Sequence, residues 1–73
     1  MQDDILKDIG DKLKDLRIKK GHSSYENFAI DNDLGRMQYW RLENGKTNPT
    51  IKTLLRILEI HELSVSEFFK DFV

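Results

Sequence analysis

The chain has 73 residues, a formal net charge of −1 and no cysteine. A domain this short buries only about 60% of the surface its unfolded chain exposes, which leaves no room for a deep catalytic cleft, and the absence of cysteine excludes disulfides and thiolate metal sites. No apolar run approaches the roughly 20 residues of a membrane span, and the start MQDD has nothing of a signal peptide, so a cytoplasmic protein without membrane contact is expected.

Charge is unevenly spread. Residues 34–56 carry Arg36, Arg41, Lys46, Lys52 and Arg56 against Glu43 alone, while the segments on either side are net acidic. For contact with a polyanion this local positive field matters more than the net charge.

Residues 3–20 are expected to form a helix, with Ile5, Leu6, Ile9, Leu13 and Leu16 on one stripe and Gly21 as the stop. Its acidic row, Asp4, Asp8, Asp11 and Asp15, reads as a solvated face with Asp8→Lys12 and Asp15→Lys19 pairs. Ser23-Ser24 offers the cap of a short second helix through Tyr25, Phe28 and Ala29, broken by DNDLG. That run begins like a calcium loop, but Leu42 stands at its twelfth position, where a glutamate is required. A third helix runs from about Arg36 to Asn44, closed by Gly45. KTNPT is a loop, because Asn48 before Pro49 is pushed out of the helical region. Thr50 caps a fourth helix with Ile51, Leu54, Leu55 and Leu58 as its apolar stripe. Ser64-Val65-Ser66-Glu67 is a capping box that opens a fifth, with Val65, Phe68, Phe69 and Phe72 apolar. The fold class is all-α, five helices in one domain, 1–73.

No stretch supports catalysis. His22 and His61 have no carboxylate or cysteine companions at ligand spacing, and Ser23, Ser24, Ser64 and Ser66 fall at cap positions. No glycine loop cradles a phosphate, so neither a metal nor a cofactor is expected, and the chain is not read as an enzyme.

The third helix is different. If Tyr39 and Leu42 face the core, then Arg36, Met37, Trp40 and Arg41 cannot all do so, and one face shows water two guanidiniums, a thioether and an indole. Residues 24–44 form a short capped helix-turn-helix whose turn carries Asn32 and Asp33, residue types that tolerate left-handed geometry. Such a unit presents the start of its second helix outward, and the major groove of DNA admits a helix of that width.

The stretches IGDKLKDLRIKKGHSSYENFA, RLENGKTNPTIKTLL and LSVSEFF resemble the Cro and phage-repressor class of helix-turn-helix domains, the Xre-like family, over residues 9–69. The resemblance implies a compact five-helix bundle of the lambda-repressor type, with Phe28, Ala29, Leu34, Tyr39 and Leu42 buried. It also implies base-reading side chains at Arg36, Met37 and Arg41, with Gln38 and Trp40 nearby. Phosphate contacts would come from Ser24 and Tyr25, and from Asn44, Lys46 and Thr47. Arg17 and Glu43 match a family ion pair that joins the first helix to the third, and there is a physical reason to want it. A negative charge at a helix C-terminus opposes the macrodipole by about 0.3–1 kcal/mol. The chain departs from the family pattern at Asn32, Asp33, Gly35 and Tyr25, where an apolar residue, a glycine, a cap serine and a glutamine are usual.

The expected function is sequence-specific binding of double-stranded DNA by a transcriptional regulator of the repressor type. Phe68, Phe69, Phe72 and Val73 crowd the end of the chain and are expected to form a two-fold interface, making a homodimer. The rival reading is an antitoxin, or another interaction module whose main partner is a protein such as a toxin. The acidic first helix and the apolar FFKDFV favour that rival modestly.

Overall fold

The computed structural model describes residues 2–72, with side chains from Ile5 to Phe72. Five helices follow one another: α1 (Gln2–Lys19), α2 (Tyr25–Asp31), α3 (Arg36–Glu43), α4 (Ile51–Ile60) and α5 (Val65–Phe69), with a single 3-10 turn at Lys70–Phe72. Among the described residues there is no strand, and the fold is all-α. No helix of these residues is long and apolar enough to cross a membrane.

Most helix ends are set by local chemistry. Ser24 Oγ accepts from the Asn27 amide at 3.2 Å and Thr50 Oγ from the Thr53 amide at 3.1 Å. At α5 the Ser64 hydroxyl accepts from the Glu67 amide while the Glu67 carboxylate accepts from the Ser64 amide, closing the capping box. The N-cap of α3 is Gly35, which has no side chain to offer.

The core is built from Ile9 and Leu13 of α1, Phe28 and Ala29 of α2, Tyr39 and Leu42 of α3, Leu54, Ile57 and Leu58 of α4, and Phe68 of α5. Two expected stripes differ from the observed ones. On α4, Ile51 is 71% exposed and Leu55 is also exposed, while Ile57 is fully buried. The helix is rolled so that Thr53 and Ile57 close on Leu34, Tyr39 and Leu42, which turns Ile51 and Leu55 outward. On α1, Ile5 is exposed, and Lys12 does not pair with Asp8. Its ammonium instead donates to the Phe68 carbonyl, lies 3.2 Å from Asp71 and sits over the Phe68 and Phe72 rings. An exposed pair four residues apart is worth only about 0.2–0.5 kcal/mol, less than this combined set of contacts.

Phe68 is fully buried within its own chain. It holds Phe69 and Phe72 edge-on and stacked at 4.9 and 5.7 Å, so it cannot belong to the expected two-fold interface. Phe69 and Phe72 remain half-buried, and Val73 lies outside the described residues.

Candidate nucleic-acid interface

The α2–α3 unit is held from behind. Ala29 has no exposed surface, and its small side chain lets the two helices approach. Phe28 meets the Tyr39 ring at 5.1 Å. Between the helices, Leu34 N donates to Ala29 O at 2.7 Å, and Asn32 Nδ2 donates to Phe28 O at 2.9 Å. Asp33 adopts φ +56°, the left-handed conformation for which glycine is usual. The Arg56 guanidinium donates to the carbonyls of both Asn32 and Asp33 at 3.1 Å. A polar turn thus takes the shape of a glycine turn and is tied to α4.

Helix α3 is fixed to α1 by two devices. The first is the ion pair: Arg17 Nε donates to Glu43 Oε2 at 2.7 Å and Nη2 to Oε1 at 3.0 Å, with the residues only 4% and 6% exposed. Its third nitrogen, Nη1, donates to the His22 carbonyl at 2.8 Å. The hydrogen bond to Glu43 holds the Arg17 guanidinium above its already high pKa, against the opposing effect of burial. The Tyr39 hydroxyl is buried beside this pair, near enough to feel its charges but outside hydrogen-bond geometry. Burial first, and the Glu43 carboxylate second, push that phenol far above its ordinary pKa.

The second device is Gly10, in the middle of α1. A Cβ there would stand 2.5 Å from the carbonyl oxygens of both Leu42 and Glu43, so α1 and the end of α3 touch backbone to backbone. Gly45, at φ +67°, continues this contact, since a Cβ on it would lie 2.9 Å from Lys7 Cα. Sequence reading passed over Gly10. The available signal was a glycine inside a long helical pattern, a choice that costs about 1 kcal/mol and asks for a packing reason.

With its back so held, α3 turns a defined face outward. Tyr39, Leu42 and Glu43 are buried, whereas Arg36, Met37, Gln38 and Arg41 are exposed, Met37 by 60%. At about 100° per residue, Met37 and Arg41 lie opposite the buried side. Gln38 leans towards α4 and lines a groove of about 250 Å³ with Arg41, Thr47, Asn48, Thr50 and Thr53. Trp40 leans the other way and is half-buried, so it stands at the edge of the outward face and not at its centre. There it shares a notch of about 270 Å³ with Tyr25, Asn44, Lys7, Asp11 and Lys14, above the Arg17–Glu43 pair.

The residues expected at phosphates flank this face on both sides. Tyr25 and Asn44 line the notch, with Asn44 Nδ2 donating to the Trp40 carbonyl at 2.8 Å. Ser24 caps α2 next to Tyr25, Lys46 is exposed, and Thr47 lines the opposite groove. Lys7 and Lys14, to which the sequence pattern of α1 gave no role, belong to the same surface.

No family model matches the chain, and no solved structure matches it. Two characterised proteins do. The chain is 41% identical over 68 residues to the control protein C.MunI of a Mycoplasma species, covering 93% of this chain and 92% of that protein. It is 40% identical over 45 residues to the plasmid copy control protein CopR of Streptococcus agalactiae, covering 62% of this chain but only 49% of CopR. Both relatives are named as control proteins, and neither name is that of an enzyme or of an antitoxin. At that identity over nearly its whole length, the chain belongs to the family of control proteins that includes C.MunI.

Proposed function

We propose that this chain is a sequence-specific DNA-binding transcriptional regulator, a helix-turn-helix domain of the Xre-like type that acts as a homodimer. The observation that carries the reading is the outward face of α3: Arg36, Met37, Gln38 and Arg41 exposed on a helix whose other side is anchored to α1 and α2. Its kinship with control proteins supports the same reading.

In this reading α3 enters the major groove. Arg36 and Arg41 discriminate bases, each bidentate contact to a guanine contributing about 1–3 kcal/mol. Met37 supplies the apolar contact that a thymine methyl accepts, and Gln38 and Trp40 border the read bases on either side. Ser24, Tyr25, Asn44, Lys46 and Thr47 hold the backbone and set the register. Phe69 and Phe72 keep part of their surface, and Ile51, Leu55 and Val65 add exposed apolar area on α4 and α5, from which the two-fold contact is drawn.

Selection of binding sites from random duplex DNA, followed by salt titrations, tests the function. Arg36→Ala and Arg41→Ala should lose preference for the selected site and keep weak non-specific binding. Lys46→Ala should weaken all sequences alike and flatten the slope of log K against log salt by about one unit. If no sequence is enriched, and both arginines are as replaceable as a surface lysine, α3 does not read DNA.

A further inference from the structure

The notch between α1 and α3 is a feature that the outward face of α3 does not account for. Three of its walls, Tyr25, Trp40 and Asn44, come from the segments that the DNA-binding reading puts against the duplex. Its floor carries no net charge, because Arg17 and Glu43 pair with each other at 2.7 and 3.0 Å. The remaining wall is α1, which presents Lys7, Asp11 and Lys14, residues that fall on one side of a helix by their spacing of four and three. Lys7 lies 3.7 Å from the Asp11 carboxylate, an exposed contact of little strength. Lys14 is exposed and makes no ion pair or hydrogen bond among the described residues. An ammonium with no partner among the described residues thus lines an aromatic-walled notch beside α3.

We propose that this notch is a backbone-phosphate site for duplex DNA, with Lys14 as its principal cation and Lys7 as a second one restrained by Asp11. The inference rests on the DNA-binding reading and extends the footprint from α2 and α3 onto α1. It gives the first helix, whose opposite charges balance, a basic edge on the DNA side. A phosphate oxygen at Lys14 has the Tyr25 hydroxyl and the Asn44 amide in the same notch. Asp11 opposes the phosphate and moderates affinity for random sequence.

Salt titrations on non-specific duplex test it, with circular dichroism to verify the fold, which an exposed lysine-to-alanine change on a helix leaves intact. Lys14→Ala should flatten the log K against log salt slope by about one unit and weaken binding roughly eightfold near 0.1 M salt, the effect of one released counterion. Lys14→Arg should retain the slope. Asp11→Asn should tighten binding, and Lys70→Ala should change nothing. The emission of Trp40, the only tryptophan in the chain, should shift on duplex binding, and by less in Lys14→Ala than in the wild type. An unchanged slope for Lys14→Ala, or an equal loss with Lys70→Ala, overturns the inference. If Arg41→Ala still abolishes site preference in that case, the DNA-binding reading stands and only the α1 contact falls. A wild-type chain that binds no duplex removes both.

Discussion

Arg17 is the side chain on which the aim of α3 depends. Its guanidinium spends two nitrogens on Glu43 and one on the His22 carbonyl, so it joins α1, the end of α3 and the entry to α2. Desolvating two charges is expensive, and a buried pair is weak evidence for net stability; removing one partner is what costs, about 3–5 kcal/mol. Arg17→Ala strands the Glu43 carboxylate in the core and at a helix C-terminus, where the macrodipole already disfavours it. Urea melts should therefore show Arg17→Ala losing about 3 kcal/mol or more, with the Arg17→Ala/Glu43→Ala double mutant losing much less than the two single effects added together. Additive losses would mean that the two residues do not interact.

A second residue-scale expectation concerns pH. His61 stacks on Phe28 at 5.4 Å, and its Nε2 is buried without a hydrogen-bond partner among the described residues. Burial, then the charges of Lys20 and His22, hold its pKa below the ordinary 6.5. The unfolded chain accordingly takes up the His61 proton more readily than the folded one. The stability that this site contributes is present above about pH 6.5 and is lost as pH falls towards the depressed folded value. The wild-type chain should weaken on acidification through this window more than His61→Phe does. Parallel stability curves for the two proteins would exclude His61 as the source.

At the scale of elements, close approach decides the architecture. Helix propensity alone expects Gly10→Ala to stabilise α1 by about 1 kcal/mol. The 2.5 Å approach to two carbonyl oxygens expects the reverse, a loss of about 1–3 kcal/mol as α1 and α3 are forced apart. The sign of the change in melting midpoint separates the two, and a stabilised Gly10→Ala would mean that the helices are not in backbone contact. The same contrast marks what the sequence made legible. Ser24, Thr50 and the Ser64–Glu67 box act over three or four residues, so local pattern sufficed for them, and spacing alone implied that α3 has an outward face. Gly10, Lys12 and Ile57 act through partners more than a dozen residues away. Lys12 resembled half of an intrahelical pair until α5 supplied a carbonyl and a ring and the 3-10 turn a second ring, and Ile57 looked no more buried than Ile51 until the roll of α4 was known. Lys14 was hidden for a different reason. It sits in a helix whose acidic and basic residues balance, and only the packing of α1 beside Tyr25 and Trp40 separates its basic edge from its acidic one.

For the whole molecule, the proposed dimer makes a measurable demand. With Phe68 sealed inside the chain, the outermost apolar groups on the last two helices are Ile51 and Leu55, one turn apart on α4, and Val65 on α5. Sedimentation at micromolar concentration should find a dimer. Ile51→Glu combined with Leu55→Glu should give a folded monomer, because neither side chain is part of the core, with a melting temperature lowered only by the lost stabilisation of association. On DNA the dimer should protect two half-sites whose centres lie about 34 Å apart on one face of the duplex. A wild-type chain that stays monomeric both free and on DNA rules the dimer out.

The bond from Lys12 to the Phe68 carbonyl spans 56 residues, and the one to Asp71 spans 59. A chain is synthesised from its N-terminus, so α1 emerges on the ribosome long before its partners exist. Gly10 and Arg17 must wait for residues 42 and 43, and Lys12 waits for α5. A product stopped before Ser64 would leave the space of Phe68 empty, a deficit of about 3–5 kcal/mol for an aromatic ring, against the roughly 5–15 kcal/mol that holds a whole domain together. Such a fragment would carry every residue proposed to touch DNA and yet hold α3 poorly. Interrupted translation would then yield a substrate for proteolysis and not a half-made regulator competing for the operator.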